Sequence, residues 1–222
     1  MNLCLFDLDH TLLPLDSDHE FGEFLIRQGL ADAVLYRQTN DGFYQQYCEG
    51  TLVLDDYIRF TTSIWREMSP AEQMKLQQAF MDEVIYPAMQ PQAVELVERH
   101  RAQGDLLAIV TATNEFVTRP IADAFNVADL LAVRLVRDEQ GRVTGDIDGV
   151  PSFREGKITR VEQWLADKGH QLSDFGRVSF YSDSPNDLPL LERANDPVAT
   201  NPSPSLETVA LERGWRVLRL FA

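Results

Sequence analysis

The sequence contains little of what would place it in several other classes of protein. Its 2 cysteines, Cys4 and Cys48, are too few and too irregularly placed among 222 residues for a disulfide framework. No apolar run approaches the roughly 18 residues that a membrane-spanning helix needs. The N-terminus also lacks the basic segment and apolar stretch that are typical of a secretory signal. We therefore expect a cytoplasmic protein that does not enter a membrane.

Basic residues are also scarce. The 20 Lys and Arg residues are outnumbered by 35 Asp and Glu residues, which gives a formal net charge of -15. This balance disfavours nucleic acid or an anionic membrane surface as a partner. An anionic small molecule would have to be attracted locally, by a metal ion and a few cationic side chains. The length and the 44% hydrophobic fraction are sufficient for one domain, or for a core with an insert.

The chain opens with a short apolar run that ends in two aspartates. Leu3 to Phe6 are followed by Asp7 and Asp9, with one residue between the aspartates. A run of this kind predicts a buried strand, and open α/β sheets bind their ligands at the carboxyl ends of strands. Carboxylates that are crowded there repel each other unless a cation or a shared proton intervenes. The pair is therefore a candidate functional site, with a solvated turn as the alternative.

Further apolar runs predict strands near residues 106–110, 178–181 and 215–218, and two of these runs end in polar segments. Thr111 to Asn114 follow the first, and Ser182 to Asp187 follow the second. Between these segments, Lys157 lies at the start of a helical pattern. Strands that alternate with helices predict a parallel sheet with right-handed crossovers, so the polar segments should meet at one edge.

Residues 16–87 have helical spacing throughout. Ser69, Pro70 and Glu72 are typical of a helix N-terminus, and an aromatic stripe favours the core of a helical bundle over a binding surface. We predict a Rossmann-like three-layer α/β core with a mainly parallel sheet, formed by residues 1–15 and 88–222. Residues 16–87 are predicted to form an inserted helical-bundle cap. Residues 130–136 and 142–147 are predicted to form a β-hairpin.

The order of these motifs resembles that of the haloacid dehalogenase (HAD) superfamily of phosphohydrolases. The resemblance is to subfamily IB, the phosphoserine-phosphatase-like branch, which includes histidinol-phosphate phosphatases. It implies that Asp7 attacks phosphorus to form an aspartyl-phosphate, that Asp9 is the general acid and base, and that Lys157 offsets charge in the transition state. Thr111 should bind the phosphoryl oxygens, with Thr113 as a competing candidate.

The resemblance also implies a magnesium ion, because both the attacking group and the phosphate are anionic. Asp7, Asp183 and the backbone carbonyl of Asp9 are the expected ligands. Asp187 is expected in the metal site too, where it would hold a metal-bound water or Lys157. A calcium site is the weaker alternative, because the EF-hand spacing is missing. His10 is given no role.

A small phosphate ester is the expected substrate, and the cap should select it. Asp16 is at the position where phosphoserine phosphatases have a Glu that contacts the substrate amine, and its shorter side chain favours histidinol phosphate over phosphoserine. The alternative role of Asp16 is to cap the first cap helix. Asn114 is a further candidate for substrate contact. A phosphotransferase or mutase would use the same intermediate, whereas a non-catalytic binding protein would not need both Asp7 and Asp9.

Overall fold

The apolar runs form the strands of a parallel sheet. The computed structural model describes residues 1–49 and 51–221, apart from the side chain of Cys48. The sheet strands are β1 (Leu3–Phe6), β2 (Leu106–Asn114), β3 (Asp129–Val133), β6 (Val178–Ser182), β7 (Asp196–Thr200) and β8 (Arg216–Leu218). Within the described residues they form a six-stranded sheet in the order β3-β2-β1-β6-β7-β8, with every neighbouring pair parallel. The predicted strand near the N-terminus is thus a central one.

Both faces of the sheet are covered, which explains why its strands are apolar without alternation. In β1, Cys4 and Phe6 face one hydrophobic cluster, while Leu3 and Leu5 face another. The first face packs against α6 (Pro91–Ala102) and α7 (Glu115–Ala124); the second packs against α8 (Glu155–Asp167), α9 (Leu188–Leu191) and α10 (Pro204–Glu212). The result is the predicted three-layer, Rossmann-like arrangement. Cys4 is buried and free, as expected.

The segment between β1 and α6 is helical, as predicted. It contains α1 (Ser17–Arg27), α2 (Ala33–Glu49), α3 (Leu54–Thr62), α4 (Pro70–Phe80), a π-helical turn (Met81–Ile85) and the short α5 (Tyr86–Ala88). Ser69 and Glu72 form the capping box of α4, with Pro70 in its first turn. The fully buried Trp65 stacks on Phe116 of α7 with ring centroids 3.7 Å apart. The cap therefore shares a hydrophobic core with the sheet layer, and its exact division from the core domain stays a prediction.

The predicted hairpin at residues 130–136 is only partly correct. Asp129–Val133 joins the main sheet beside β2, and only β4 (Leu135–Arg137) pairs with β5 (Val143–Ile147). The residues of β3 are buried between layers like the other sheet strands, so their apolar character does not specify an antiparallel partner. No helix in the described part of the chain has the length and apolar character needed to cross a membrane.

Candidate active site

The ends of three neighbouring strands bring the predicted motifs together. β1 lies between β2 and β6, and Phe6 pairs with Ile109 on one side and Tyr181 on the other. Asp7, Thr111 and Asp183 lie just beyond these paired residues, and all three line one cavity of about 790 Å³. The predicted convergence of the motifs at one edge of the sheet is confirmed.

Asp7 is fixed through both its backbone and its side chain. Its amide donates to the carbonyl oxygen of Tyr181 at 2.9 Å, and its side chain is 10% exposed. Lys157 Nζ lies 2.8 Å from Asp7 Oδ1. The hydroxyl of Thr11 lies 3.3 Å from Asp7 Oδ2 and also 3.3 Å from Asp183 Oδ1. Thr11 thus holds the two carboxylates close to each other, on the same side of the molecule.

Lys157 and Asp187 form a buried ion pair behind Asp7. Lys157 Nζ lies 2.7 Å from Asp187 Oδ1 and 2.8 Å from its Oδ2, and Ser182 donates to Oδ2 at 2.7 Å. Burial opposes the charge on Lys157, but Asp187 and Asp7 outweigh it and raise the pKa of the lysine. Because the lysine contacts both oxygens of Asp187, direct metal ligation by Asp187 is not supported. The arrangement matches the other predicted role, which is to hold Lys157.

Asp9 is held by one hydrogen bond to each of its carboxyl oxygens. Its Oδ1 accepts from the Ser17 amide at 2.7 Å, and its Oδ2 accepts from the Thr113 hydroxyl at 2.8 Å. Burial, followed by the charge of Asp16, raises the pKa of Asp9 to about 8. A raised pKa favours the protonated carboxyl group, the form in which a general acid acts.

The carboxylates around Asp7 form a set of oxygen donors suited to a hard divalent cation. Burial, followed by the charge of Asp7, raises the pKa of Asp183 to about 9. Burial also raises the pKa of Asp187 to about 6, although Lys157 opposes this rise. Asp7 and Asp187 share the ammonium of Lys157, whose charge also opposes the raised pKa of Asp183. The described residues offer no group of three His, Cys, Asp or Glu side chains that could hold a metal ion. Magnesium fits nonetheless, since it commonly binds one or two carboxylates and completes its shell with water and phosphate.

The two threonines of β2, Thr111 and Thr113, line the same cavity but have different contacts. Thr111 and Thr113 both line the cavity, because alternate residues of a strand share a face. Thr113 contacts Asp9, a contact that the sequence argument missed and that the two-residue spacing could have indicated. Asn114 is fully buried and caps α7 by accepting from the Phe116 and Val117 amides. It is not among the residues that line the cavity, so the structure does not support its predicted substrate contact.

Asp16 has the capping role that was its alternative. Its Oδ1 accepts from the amides of Asp18 and His19 at 3.0 and 2.9 Å, yet the residue also lines the cavity. Asp18 lines it as well and is 7% exposed. Burial raises the pKa of Asp18 to about 7, although a hydrogen bond from Tyr57 opposes this rise. Two acidic side chains therefore lie where the cap meets the cavity.

The aromatic residues of the cap serve two purposes, so the prediction of a bundle core was only partly right. Phe21, Phe24 and Phe80 pack together in the core. A second group lines the cavity instead: Phe43, Tyr44, Tyr47 and Tyr57. The two groups differ in exposure, since Phe21, Phe24 and Phe80 are buried whereas Tyr44 is 65% exposed, and helical periodicity alone does not distinguish them.

Arg154 is a cavity residue that the sequence did not single out. Its backbone has φ 49° and ψ -124°, a conformation that is costly for a residue with a Cβ atom. Its guanidinium lies over the Phe153 ring at 4.9 Å, and its Nε donates to Asn186 Oδ1 at 3.2 Å. His10 and Asn201 also line the cavity with positive φ. Such strain is concentrated at functional sites, because the surrounding structure must enforce it.

The family of the chain follows from a match over most of its length. Residues 4–192 match the model described as haloacid dehalogenase-like hydrolase, and this span includes all the motifs that converge on the cavity. The chain belongs to the haloacid dehalogenase-like hydrolases.

Several relatives within this hydrolase family are phosphatases, and so is this enzyme. It is 42% identical over 217 residues to a histidinol-phosphatase of Neisseria meningitidis, a match that covers 98% of each chain. The crystal structure of a Bordetella pertussis protein of unknown function is 50% identical, with a TM-score of 0.94 and 99% of both chains covered. A substrate-bound phosphoserine phosphatase has 19% identity and a TM-score of 0.65, covers 98% of this chain and 92% of its own, and supports the fold alone.

Proposed function

We propose that this phosphatase hydrolyses the phosphate monoester of a small aminated metabolite, with Mg²⁺ and through an aspartyl-phosphate on Asp7. One observation carries the proposal. The carboxylate of Asp7, 2.8 Å from Lys157, shares a cavity with Asp9, whose carboxyl is held by Ser17 and Thr113. A nucleophile, a cation and a proton donor are thus present in one site, as covalent phosphoryl transfer requires.

Asp7 and Asp9 have different roles in the proposed reaction. A carboxylate oxygen of Asp7 forms a bond to phosphorus while the ester P–O bond breaks, and Asp9 gives its proton to the departing alkoxide. Asp9 then takes a proton from water, whose oxygen bonds to phosphorus as the bond from phosphorus to Asp7 breaks. Inorganic phosphate leaves, and both carboxyl groups return to their initial states.

The groups around Asp7 and Asp9 offset the negative charge of the phosphoryl group. Asp7, Asp183 and the backbone carbonyl of Asp9 would hold Mg²⁺, which supplies positive charge to the phosphoryl oxygens when bound. Lys157 contributes a second positive charge from its position between Asp7 and Asp187. Thr111 donates to a phosphoryl oxygen, while Thr113 keeps Asp9 in place.

Histidinol phosphate is the proposed substrate. The histidinol-phosphatase of N. meningitidis matches this chain over 98% of both lengths. The chemistry of the cavity is compatible with that substrate, because Asp16 and Asp18 offer negative charge to an ammonium group. Tyr47 and Tyr57 offer aromatic faces to an imidazole ring.

Removing the charge of Asp16 should selectively weaken aminated substrates. Asn caps a helix as well as Asp does, so Asp16→Asn preserves α1 while removing the attraction for an ammonium. We expect kcat/KM to fall by about tenfold on histidinol phosphate and by much less on glycerol phosphate, an amine-free alkyl phosphate whose leaving alkoxide needs the proton of Asp9 equally. Asp32→Asn is the matched control, since Asp32 accepts from the Leu35 amide near the start of α2. An equal loss on both substrates would remove the recognition role.

Arg154 offers a paired test of strain and function. Both Arg154→Ala and Arg154→Gly remove a cation from the cavity and should lower kcat/KM by about tenfold. The Gly variant should be more stable than the Ala variant by about 1–2 kcal/mol, because Gly adopts this backbone conformation freely. Urea unfolding and steady-state kinetics on both variants check this. If kcat/KM were unchanged in both variants, Arg154 would have no role in the reaction. If Arg154→Gly were less stable than Arg154→Ala, the backbone at residue 154 would not be strained.

A substrate screen tests the proposed function as a whole. The purified enzyme is assayed against histidinol phosphate, O-phosphoserine and amine-free phosphate esters, each with Mg²⁺ and with EDTA. We expect activity with Mg²⁺ only, and the highest kcat/KM on histidinol phosphate. If the enzyme preferred O-phosphoserine, histidinol phosphate would be the wrong substrate. If it kept full activity in EDTA, the reaction would not need Mg²⁺.

A further inference from the structure

A second cavity lies at the opposite edge of the sheet. Its volume is about 690 Å³. Arg177 directly precedes β6, Asp196 begins β7 and Arg216 begins β8, so the cavity is at the amino ends of the strands. The residues of the candidate active site lie at the carboxyl ends. The two cavities are therefore separate sites.

The lining of this second cavity is rich in basic residues, although the chain as a whole is acidic. This lining includes three arginines, Arg99, Arg177 and Arg216, and the carboxylate of Asp196. A second carboxylate, that of Asp105, pairs with Arg177, so the arginines still outnumber the carboxylates that contact them. The chain as a whole carries a formal net charge of -15. Clustered arginines in a concave surface are the arrangement with which proteins recognise phosphate and carboxylate groups.

Arg177 and Arg216 keep donors for a ligand. Arg177 donates through Nη2 to Gln103 and Asp105, at 3.0 and 3.1 Å. Arg216 donates through Nη2 to the Tyr181 hydroxyl at 3.2 Å and to Asp196 at 3.5 Å. Within the described residues, the Nη1 groups of both arginines donate no hydrogen bond. Their side chains are 41% and 53% exposed.

A buried network holds the cavity in shape. His100 bridges two other side chains. Its Nδ1 lies 2.7 Å from Asp105 Oδ2, and its Nε2 lies 2.8 Å from the hydroxyl oxygen of Tyr181. All three side chains are buried. Because Arg177 is anchored to Asp105 and Arg216 to Tyr181, their guanidinium groups are positioned before any ligand arrives. A site organised in advance loses less entropy on binding.

We propose that this second cavity binds a small dianion of the phosphate type, through Arg99, Arg177 and Arg216. The alternative is that the arginines only brace the amino ends of the strands. The proposal does not depend on the catalytic function, and the same chemistry would accept free phosphate or a phosphate group carried by a small molecule.

NMR titration in EDTA, at constant ionic strength, tests the proposal residue by residue. Inorganic phosphate is added to ¹⁵N-labelled protein, and the Gly176 amide and Arg177 Nε–H signals are followed. We expect saturable shifts with a dissociation constant of about 1 mM or tighter. The double variant Arg177→Gln/Arg216→Gln should weaken this binding by at least about tenfold. Signals near Thr113 and Asp183 report separately on the candidate active site.

O-phosphoserine replaces phosphate in a second titration, and tighter binding of O-phosphoserine at the second cavity identifies a phosphorylated metabolite as the ligand.

A control variant of equal charge separates site binding from general electrostatics. Arg213→Gln/Arg219→Gln also removes two arginines, which pair with Glu192 and Glu207 outside the cavity. This variant should bind phosphate as the unmodified protein does. The proposal is overturned if the Gly176 and Arg177 signals do not saturate, or if both double variants weaken binding equally. Lower stability of Arg177→Gln/Arg216→Gln with unchanged phosphate binding would leave only the bracing role.

Discussion

Asp7→Asn lowers the rate of phosphate-ester hydrolysis by at least about 10,000-fold while the chain stays folded. Loss of a catalytic nucleophile has effects of this size. Asn has nearly the same shape as Asp, and the backbone hydrogen bond from the residue 7 amide to Tyr181 is kept. What disappears is the charged oxygen that would attack phosphorus. Turnover of p-nitrophenyl phosphate with Mg²⁺ and the midpoint of thermal unfolding are the two measurements.

The same variant has an electrostatic consequence that a merely damaged protein would lack. The charge of Asp7 contributes to the raised pKa of Asp183, second only to burial. Removing that charge should lower the pKa of Asp183, which carboxyl ¹³C NMR can follow. Asp123→Asn, on the exposed surface of α7, is the control for the substitution itself. A variant at position 7 that turns over substrate at a rate comparable to the unmodified enzyme would refute the nucleophile.

Much of the candidate site could be predicted because its residues occupy strand ends. Asp7, Thr111 and Asp183 each follow an apolar run, and parallel strands place such positions at one edge. The role of Asp187 was left open, because sequence spacing cannot decide between a metal and an ammonium as its partner. The structure brings Asp187 to Lys157, which precedes it by 30 residues.

Other features depend on tertiary contacts that periodicity does not encode. Asn114 follows Thr113 in sequence, but the start of α7 draws its side chain into a cap and away from the cavity. Residues 130–136 have a single apolar pattern, although Arg134 separates a sheet strand from a hairpin strand. The strain at Arg154 likewise has no signature in the sequence, because it arises from the turn that precedes Lys157.

Lys157→Met should remove both activity and stability, and a second substitution should restore only one of them. Met fills a similar volume but leaves the buried carboxylates of Asp7 and Asp187 without their ammonium. Removing one partner of a buried ion pair costs about 3–5 kcal/mol of unfolding free energy. We also expect kcat/KM to fall by about 1,000-fold or more, since the cation beside the phosphoryl group is lost.

Adding Asp187→Asn to Lys157→Met should recover about 1–3 kcal/mol, because one uncompensated charge is removed. Activity should not return, since no cation has been restored. Lys168→Met is the matched control just after the end of the same helix; it breaks a partly exposed pair with Asp129 and a cation–π contact with Trp164 and should cost less than about 2 kcal/mol. Urea unfolding and kinetics on all four variants, including Asp187→Asn alone, complete the cycle. If activity returned together with stability in the double variant, Lys157 would be a structural residue, and the charge on the phosphoryl group would have to be offset by other side chains of the cavity.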